Sequence, residues 1–267
     1  MNIQPIEAPK TGAKRFVGKS VIVSGGAAGM GLAASLAFAS EGAEVAILDI
    51  QKEAGEDAVS AIEAGGGKAS FFEANLADAD AAETATNEAI AKLGKLDTLF
   101  NHAGSIIVKP FHETTNADYD RLMDINMRSA FTVTRTAVTH MKDNGGGSIV
   151  ITASIGSEKA FALESLYCVT KAGTLMLARA IAAEYREQGI RCNAVCPGFV
   201  KTAHGLREID ELDAQGQHWQ EADLAATQMR ICEPEEVAAA VLFLASDEAS
   251  FVNGVGLYVD HGWHSKG

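Results

Sequence analysis

The sequence has few cysteines and a shortage of positive charge. Its 267 residues include four cysteines, and 22 Lys and Arg stand against 35 Asp and Glu, giving a formal net charge of −13 at pH 7. So few, scattered cysteines argue against a disulfide-rich secreted scaffold, and we expect reduced thiols and a cytoplasmic location. No Cys or His pair has the spacing of zinc ligands, so we expect no metal. The lack of clustered Lys and Arg argues against a nucleic-acid partner.

Long apolar runs are missing at the start of the chain. Residues 1–16 contain no continuous apolar segment, so we expect neither a signal peptide nor a membrane span. We predict that residues 1–14 form a flexible extension. With 47% hydrophobic residues overall, the chain can bury one large core, and residues 15–267 are expected to form a single domain.

Apolar strand-like runs alternate with amphipathic helical segments from residue 19 to residue 260. This alternation is typical of an α/β fold, in which right-handed crossovers place helices on both faces of a parallel sheet. We therefore predict three layers, α/β/α.

A glycine-rich turn follows the first predicted strand. The β-branched run at residues 19–24 is followed by GGAAGMG at residues 25–31 and then by a helix-like segment. Glycines at a strand-to-helix turn let a pyrophosphate approach the main chain and the free amides of the helix N-terminus. The turn predicts a dinucleotide site.

An acidic residue ends the second predicted strand. Asp49 follows the last glycine of the turn by eighteen residues. A carboxylate there can accept hydrogen bonds from the adenosine ribose and would repel a 2′-phosphate. Ala28, inside the turn, offers no positive charge to such a phosphate. Both observations favour NAD(H) over NADP(H).

A Tyr and a Lys are spaced as a candidate acid/base pair. Lys171 follows Tyr167 by four residues, which on a helix places both side chains on one face about 6 Å apart. A free phenol has a pKa near 10. We expect the Lys171 cation to favour the phenolate and so to lower the pKa of Tyr167.

Together these residues resemble the short-chain dehydrogenase/reductase family, in its single-domain branch of about 250 residues. The family's turn has the pattern T-G-x-x-x-G-x-G, which residues 24–31 match with Ser24 in place of Thr. NHAG at residues 101–104 stands where the family has N-N-A-G. Further matches are DINMRSAF at 124–131, GSIVITAS at 147–154, PGFVKT at 197–202 and the thirteen-residue spacing from Ser154 to Tyr167.

The resemblance implies a Rossmann-type doubly wound parallel sheet with strand order 3-2-1-4-5-6-7 in a dinucleotide-binding catalytic domain. Its catalytic residues would be Asn126, which orients a relay water, Ser154, which holds the substrate oxygen, Tyr167, and Lys171, which also binds the nicotinamide ribose. The implied cofactor-binding residues are Ser24, Gly25, Ala28, Gly29, Met30, Gly31, Asp49, Ile50, Asn75, Leu76, Asn101, Ala103, Gly104, Tyr167, Lys171, Pro197, Gly198, Val200 and Thr202. It also implies a homotetramer or homodimer.

Three positions depart from the family pattern. Asn75 occupies a place where an Asp usually contacts the adenine, and an amide can donate as well as accept there. His102 replaces an Asn, which leaves open how the turn after the fourth strand is braced. His261 stands where a Gly is usual.

The sequence specifies the substrate-binding residues less well than the catalytic and cofactor-binding residues. Residues 200–230 lie where the family has a mobile substrate lid, and His204, His218, Trp219 and Met229 are candidate pocket residues beside Ser154 and Tyr167. The alternative is a solvated helical flap whose His and Trp only pack. At the C-terminus, His261, Trp263 and His264 form either a surface tail or a contribution to a neighbouring subunit's pocket.

Three functions are compatible with these observations. The leading prediction is an NAD-dependent dehydrogenase of a secondary alcohol, such as a sugar-like or cyclic polyol. The second is a ketoreductase of the 3-oxoacyl reductase type, and the third is a non-catalytic NAD(H)-binding protein. The Ser, Tyr, Lys and Asn set argues against the third, because a sensor needs no proton relay.

Overall fold

The computed structural model describes residues 14–217 and 219–266. It contains seven strands: β1 (Ser20–Ser24), β2 (Glu44–Asp49), β3 (Lys68–Glu73), β4 (Thr98–Asn101), β5 (Gly147–Thr152), β6 (Ile190–Pro197) and β7 (Gly256–Val259). The helices in this part of the chain are α1 (Gly29–Ser40), α2 (Lys52–Ala64), α3 (Ala79–Leu93), α4 (Asn116–Met123), α5 (Ser129–Met141), α6 (Ser165–Glu184), α7 (Ala203–Ala214), α8 (Glu221–Gln228) and α9 (Pro234–Ala245).

The strands form one parallel sheet in the order β3-β2-β1-β4-β5-β6-β7. This order confirms the predicted doubly wound topology. The order reverses between β1 and β4, where Val23 lies opposite Phe100. In such sheets, ligands bind beyond the carboxyl ends of the strands at this reversal.

Two hydrophobic cores cover the two faces of the sheet. On β1, Ile22 packs with α3, α5 and α6, whereas its neighbours Val21 and Val23 pack with α1, α2 and α9. Consecutive strand residues face opposite sides, so a strand that is covered on both faces reads as a continuous apolar run. The three predicted layers are therefore present.

The start of the described chain is anchored to α1. Arg15 forms an ion pair with Glu41 at 2.6 Å, and the Phe16 ring packs edge-on against Phe38 with centroids 4.9 Å apart. Residues 1–13 of the predicted extension lie outside the described residues.

Helix α6 is the described helix that is long and apolar enough to cross a membrane, with a mean hydropathy of 1.2. Helices in the cores of globular proteins meet the same criterion. Leu175 and Ala178 of α6 belong to the core beneath the sheet, whereas Val169 and Met176 are exposed. We therefore assign α6 to the fold of the domain.

The four cysteines are free thiols in this structure. Cys192 and Cys196 are buried on β6, and burial raises the pKa of Cys196 to about 12. A thiol of such high pKa is a poor nucleophile at neutral pH. Neither thiol is a candidate for catalysis.

Candidate active site

The glycine turn between β1 and α1 forms one wall of a cavity of about 660 Å³. Gly25 and Gly29 adopt positive φ angles of 66° and 52°, which glycine reaches without strain. A Cβ atom on Gly31 would lie 1.9 Å from the Gly25 carbonyl oxygen. Ala28, the N-cap of α1, has no side chain to cap the helix, so amides of its first turn are available to a phosphate. This wall fits a pyrophosphate.

Asp49 is buried at the end of β2 and is tied to the glycine turn. Its carboxylate accepts hydrogen bonds from the backbone N–H groups of Ala27 and Gln51, each at 3.1 Å. Asp49 and its neighbour Ile50 both line the cavity. The acid therefore lies beside the turn, as the ribose assignment requires.

Ser24 and Asn101 lie behind the cavity wall and hold it together. Ser24 Oγ donates to Asn101 Oδ1 at 2.8 Å and accepts from the backbone N–H groups of His102 and Ala103. Asn101 Nδ2 donates to the Ala130 carbonyl oxygen at 3.0 Å. Neither side chain lines the cavity, so both position the turn after β4.

The side chain of His102 braces that turn. Its ring stacks on Phe100 with centroids 5.3 Å apart, and its Nδ1 lies 3.0 Å from Thr152 Oγ1 on β5. Burial and the nearby Lys171 lower the pKa of His102 to about 3. The imidazole is therefore neutral near pH 7 and joins β4 to β5 as a hydrogen-bonding group.

The remaining predicted cofactor residues divide by position. Asn75 lines the cavity, and its Oδ1 accepts from the Ala77 N–H at 3.2 Å. Gly31 does not line the cavity, because it lies against the inner side of its own turn. The other predicted cofactor residues that line it are Gly25, Ala28, Gly29, Met30, Asp49, Ile50, Leu76, Ala103, Gly104, Tyr167, Lys171, Pro197, Gly198, Val200 and Thr202.

Ser154, Tyr167 and Lys171 meet in the same cavity. Tyr167 lies in the first turn of α6, and Lys171 Nζ is 5.6 Å from the centre of its ring. Lys171 is 5% exposed and donates to the Thr152 carbonyl oxygen at 3.0 Å. Ser154 Oγ accepts from the Gly156 N–H at 3.0 Å and interacts with the Tyr167 phenol. The predicted acid/base pair therefore shares a helix face at the cavity.

The electrostatics of Tyr167 differ from the sequence-based expectation. Burial raises the pKa of the phenol above its usual value, and the carboxyl groups of Glu208 and Glu164 raise it further. Burial also lowers the pKa of Lys171 to about 8. The expectation of a net lowered pKa for Tyr167 was wrong for this structure, because burial and the carboxyl groups of Glu208 and Glu164 raise it.

Asn126 lies outside the cavity lining. It is buried in a π-helical turn between α4 and α5 (Asp124–Arg128). Its Oδ1 accepts from the Ser105 N–H at 2.8 Å, and its Nδ2 donates to the Ser105 carbonyl oxygen and to Thr170 Oγ1, each at 2.9 Å. In this structure Asn126 joins the loop after β4 to α6.

The predicted lid comprises α7 and α8. His204 and Trp219 line the cavity, whereas Met229 does not and is 63% exposed. His218 lies outside the described residues. Burial lowers the pKa of His204 to about 4, so this side chain is neutral near pH 7. Of the three candidate side chains that the structure describes, the lid thus brings His204 and Trp219 to the cavity.

Sequence reasoning missed an aromatic wall that includes the C-terminal segment. Trp263 packs against Phe199, Trp219 and Phe161 with ring centroids 5.3 to 5.7 Å apart, and Trp263, Phe199, Trp219 and Phe161 all line the cavity. The surface-tail prediction was wrong for Trp263, since its side chain reaches the pocket of its own chain. His264 instead stacks on Tyr258 away from the cavity, and His261 is exposed.

Two acids at the cavity, the buried Glu164 and the half-buried Glu208, were also missed. Glu164 and Glu208 both line it. The position of Glu164, three residues before Tyr167, was a signal that it could share a site with the phenol. Within residues 14–217 and 219–266, no group of three or more His, Cys, Asp and Glu could hold a metal ion.

Known proteins with similar sequences and structures are oxidoreductases by name. A family model described as enoyl-(acyl carrier protein) reductase matches residues 25–264. Cyclopentanol dehydrogenase of Comamonas testosteroni is 36% identical over 246 residues, covering 92% of this chain and 96% of that protein. D-threitol dehydrogenase of Mycolicibacterium smegmatis is 32% identical over 252 residues, covering 94% and 95%.

A solved structure of levodione reductase superimposes with a TM-score of 0.90 at 30% identity, covering 95% of this chain and all of that one. The glycine turn, the Ser, Tyr and Lys set and the strand order lie within the matched residues. The chain belongs to the short-chain dehydrogenase/reductase family.

Proposed function

We propose that the protein is an NAD(H)-dependent oxidoreductase that interconverts a secondary alcohol and its ketone, with Tyr167 as the acid/base. The observation that carries this proposal is the meeting of Ser154, Tyr167 and Lys171 in one cavity with the glycine turn. A nicotinamide dinucleotide fits the chain because the turn leaves room for no Cβ at Gly31. The names of the relatives, which include two alcohol dehydrogenases, support the same reaction class.

A bound nicotinamide dinucleotide supplies the hydride acceptor for oxidation and the hydride donor for reduction. Tyr167 moves the accompanying proton. Its phenolate takes the hydroxyl proton during alcohol oxidation, and its phenol O–H donates to the carbonyl oxygen during ketone reduction. Ser154, which interacts with the phenol, holds the same substrate oxygen.

Lys171 has two roles in the proposal. It binds the nicotinamide ribose hydroxyls, and its cation, 5.6 Å from the centre of the Tyr167 ring, favours the phenolate. Asn126 keeps the loop after β4 against α6 through Ser105 and Thr170. We assign it a positioning role in addition to the expected orientation of a relay water.

The raised pKa of Tyr167 keeps the phenol protonated at neutral pH. A protonated phenol is the acid that ketone reduction needs, so this observation favours ketoreductase activity as the second candidate. Assays with NAD+ and NADP+ on a panel of secondary alcohols, and with NADH and NADPH on the matching ketones, test both directions through absorbance of the reduced nicotinamide. Dinucleotide binding with no turnover in any assay would favour the non-catalytic alternative.

The preference for NAD(H) is proposed from Asp49. For Asp49→Ala we expect the ratio of kcat/KM with NADP+ to that with NAD+ to rise at least about tenfold, because a charged hydrogen-bond acceptor and its repulsion of a 2′-phosphate are both lost. Steady-state kinetics with each nucleotide measure this ratio. Removing the hydrogen bond to Ala27 could loosen the turn for both nucleotides. The ratio of the two kcat/KM values cancels such a common effect. Asp57→Ala, at an exposed site on α2, is the matched control, and an unchanged ratio in Asp49→Ala would refute the ribose assignment.

We further propose a cytoplasmic homotetramer or homodimer that acts on a small alcohol or ketone. Exposed apolar side chains on α5 and α6, namely Phe131, Val169 and Met176, support association. The free thiols support a reducing compartment. Light scattering at micromolar concentration is expected to give a dimer or tetramer mass, and a monomer mass would contradict the assembly.

A further inference from the structure

The cavity holds two carboxyl groups that the proposed hydride and proton transfers do not use. Glu164 immediately precedes α6 and is 5% exposed, and Glu208 comes from the middle of the lid helix α7. Both line the cavity with Tyr167, and both act electrostatically on its phenol. They therefore belong to the same cavity as the phenol that exchanges the proton.

The backbone before Glu164 is held in an unusual conformation. Leu163 has a φ angle of 68°, which is rare for a residue with a branched side chain. Its carbonyl oxygen accepts from the Lys109 N–H at 2.8 Å, and its side chain packs in the cluster that contains Phe199 and Trp219. The backbone and the side chain of Leu163 thus both hold the position of Glu164.

The two carboxyl groups pair with each other, while Arg207 and Lys171 act on Glu208 only electrostatically. A hydrogen bond joins them, and in the described part of the chain neither forms an ion pair with a Lys, Arg or His. The neighbouring Arg207 pairs instead with Glu211 at 3.4 Å. Burial raises the pKa of Glu164 to about 7 and that of Glu208 well above its usual value. Two adjacent carboxyls whose pKa values are both raised share one proton near neutral pH.

A carboxyl pair that shares a proton keeps free acceptor oxygens. The proton is used in the hydrogen bond between Glu164 and Glu208, so the remaining carboxyl oxygens can accept a hydrogen bond from a hydroxyl group. The same cavity also has an aromatic wall, formed by Phe199, Trp219 and Trp263. Such a wall suits the carbon skeleton of a small ring or chain, so the cavity offers both polar and apolar surface to a substrate with two oxygen groups.

We propose that Glu164 and Glu208 bind a second hydroxyl group of the substrate, one that is not oxidised, and thereby select diols and polyols over simple alcohols. This inference rests on the proposed function, because it assigns a binding site to the unreacting part of the same substrate. A primary ammonium group is the competing ligand for an acidic site beside aromatic rings. The shared proton favours the hydroxyl, because it leaves the pair with a single negative charge and a neutral carboxyl.

The test compares cyclohexanol, the three positional isomers of cyclohexanediol, and trans-2-aminocyclohexanol. The chain has two tryptophans, and both line the cavity, so quenching of intrinsic fluorescence with dinucleotide present reports binding without turnover. The kcat/KM values are measured in parallel. Fluorescence tests the binding of the second hydroxyl, and kcat/KM tests the oxidoreductase activity. The two measurements therefore distinguish a failure of this inference from a failure of the proposed function.

For the wild type we expect at least one diol to bind about tenfold more tightly than cyclohexanol, the value of one charge-assisted hydrogen bond. In Glu164→Gln and Glu208→Gln this diol-to-cyclohexanol ratio is expected to fall about tenfold, mainly through KM. The ratio compares two ligands of one protein, so any change in the pKa of Tyr167 cancels. Asp210→Asn, an exposed acid on the same helix, is the control and should keep the wild-type ratio.

Three results would overturn the proposal. An unchanged ratio in a folded variant would make the pair a structural contact between α7 and α6. Tighter binding of the amino alcohol than of any diol, lost in the Gln variants, would make it an ammonium site. If the wild type binds no diol more tightly than cyclohexanol, the protein has no site for a second hydroxyl group. If Glu164→Gln does not fold, the diol-to-cyclohexanol ratio is measured in Glu208→Gln alone. If no alcohol is turned over, the ratio of dissociation constants from fluorescence still tests the proposal.

Discussion

Tyr167→Phe is expected to abolish turnover and to leave NADH binding largely intact. The substitution removes the hydroxyl that exchanges the proton and keeps the aromatic ring beside Lys171. A positioned acid/base contributes about 10²- to 10⁴-fold to a rate, so the residual kcat should lie within that range below the wild type. Absorbance assays of alcohol oxidation and ketone reduction measure the loss, and NADH fluorescence measures the binding.

Tyr119→Phe is the matched control for this experiment. Tyr119 is an exposed phenol on α4 outside the cavity lining, so its replacement should leave kcat within about twofold, as for most surface substitutions. Because the pKa of Tyr167 is raised, wild-type alcohol oxidation should also accelerate as the pH rises and the phenolate fraction grows. Retention of more than about a tenth of the activity in Tyr167→Phe, well outside the range for an acid/base, would show that another base operates.

Gly31→Ala is expected to remove most of the affinity for dinucleotide. The new Cβ would lie 1.9 Å from the carbonyl oxygen of Gly25 and 3.0 Å from the Cα of Gly26. Both contacts are with backbone, so the turn must open and the α1 amides must leave their positions. We expect the dissociation constant for NADH to rise at least about 100-fold, corresponding to about 2.7 kcal/mol. Titration calorimetry measures this change.

Gly65→Ala controls for the general effect of adding a methyl group. Gly65 follows α2, and a Cβ there would meet only the carbonyl oxygens of Ile62 and Ala61, at 3.4 and 3.7 Å. NADH affinity should therefore match the wild type. A melting temperature measured for both variants separates opening of the turn from unfolding. Wild-type affinity in a folded Gly31→Ala protein would contradict the assigned role of the turn.

The elements that the sequence predicted well are those whose causes are local. The alternation of apolar runs predicted the parallel three-layer fold because strands covered on both faces must be continuously apolar. The glycine turn followed from the residues between β1 and α1. The Tyr167 and Lys171 pair followed from the helical repeat, which brings residues four apart onto one face.

The prediction that failed concerned a quantity set by distant residues. A helix pairing with Lys171 suggested a lowered pKa for Tyr167, but burial and Glu208, 41 residues along the chain, raise it. The spacing of two residues contains no information on the dielectric around them. Likewise, the sequence could not show that Ser24 and Asn101 hydrogen-bond to each other behind the cavity.

By itself, the sequence determined the family through short motifs, and the layered fold through periodicity. The strand order and the residues that could carry hydride and proton chemistry followed from the resemblance to that family. Only the tertiary structure decided what surrounds that chemistry. It brought Trp263 from the C-terminal segment to the lid and placed Glu208 of α7 beside Glu164. These contacts join residues 44 apart in the chain, and the burial that gives the carboxyl pair its shared proton exists only when the lid and α6 are packed together.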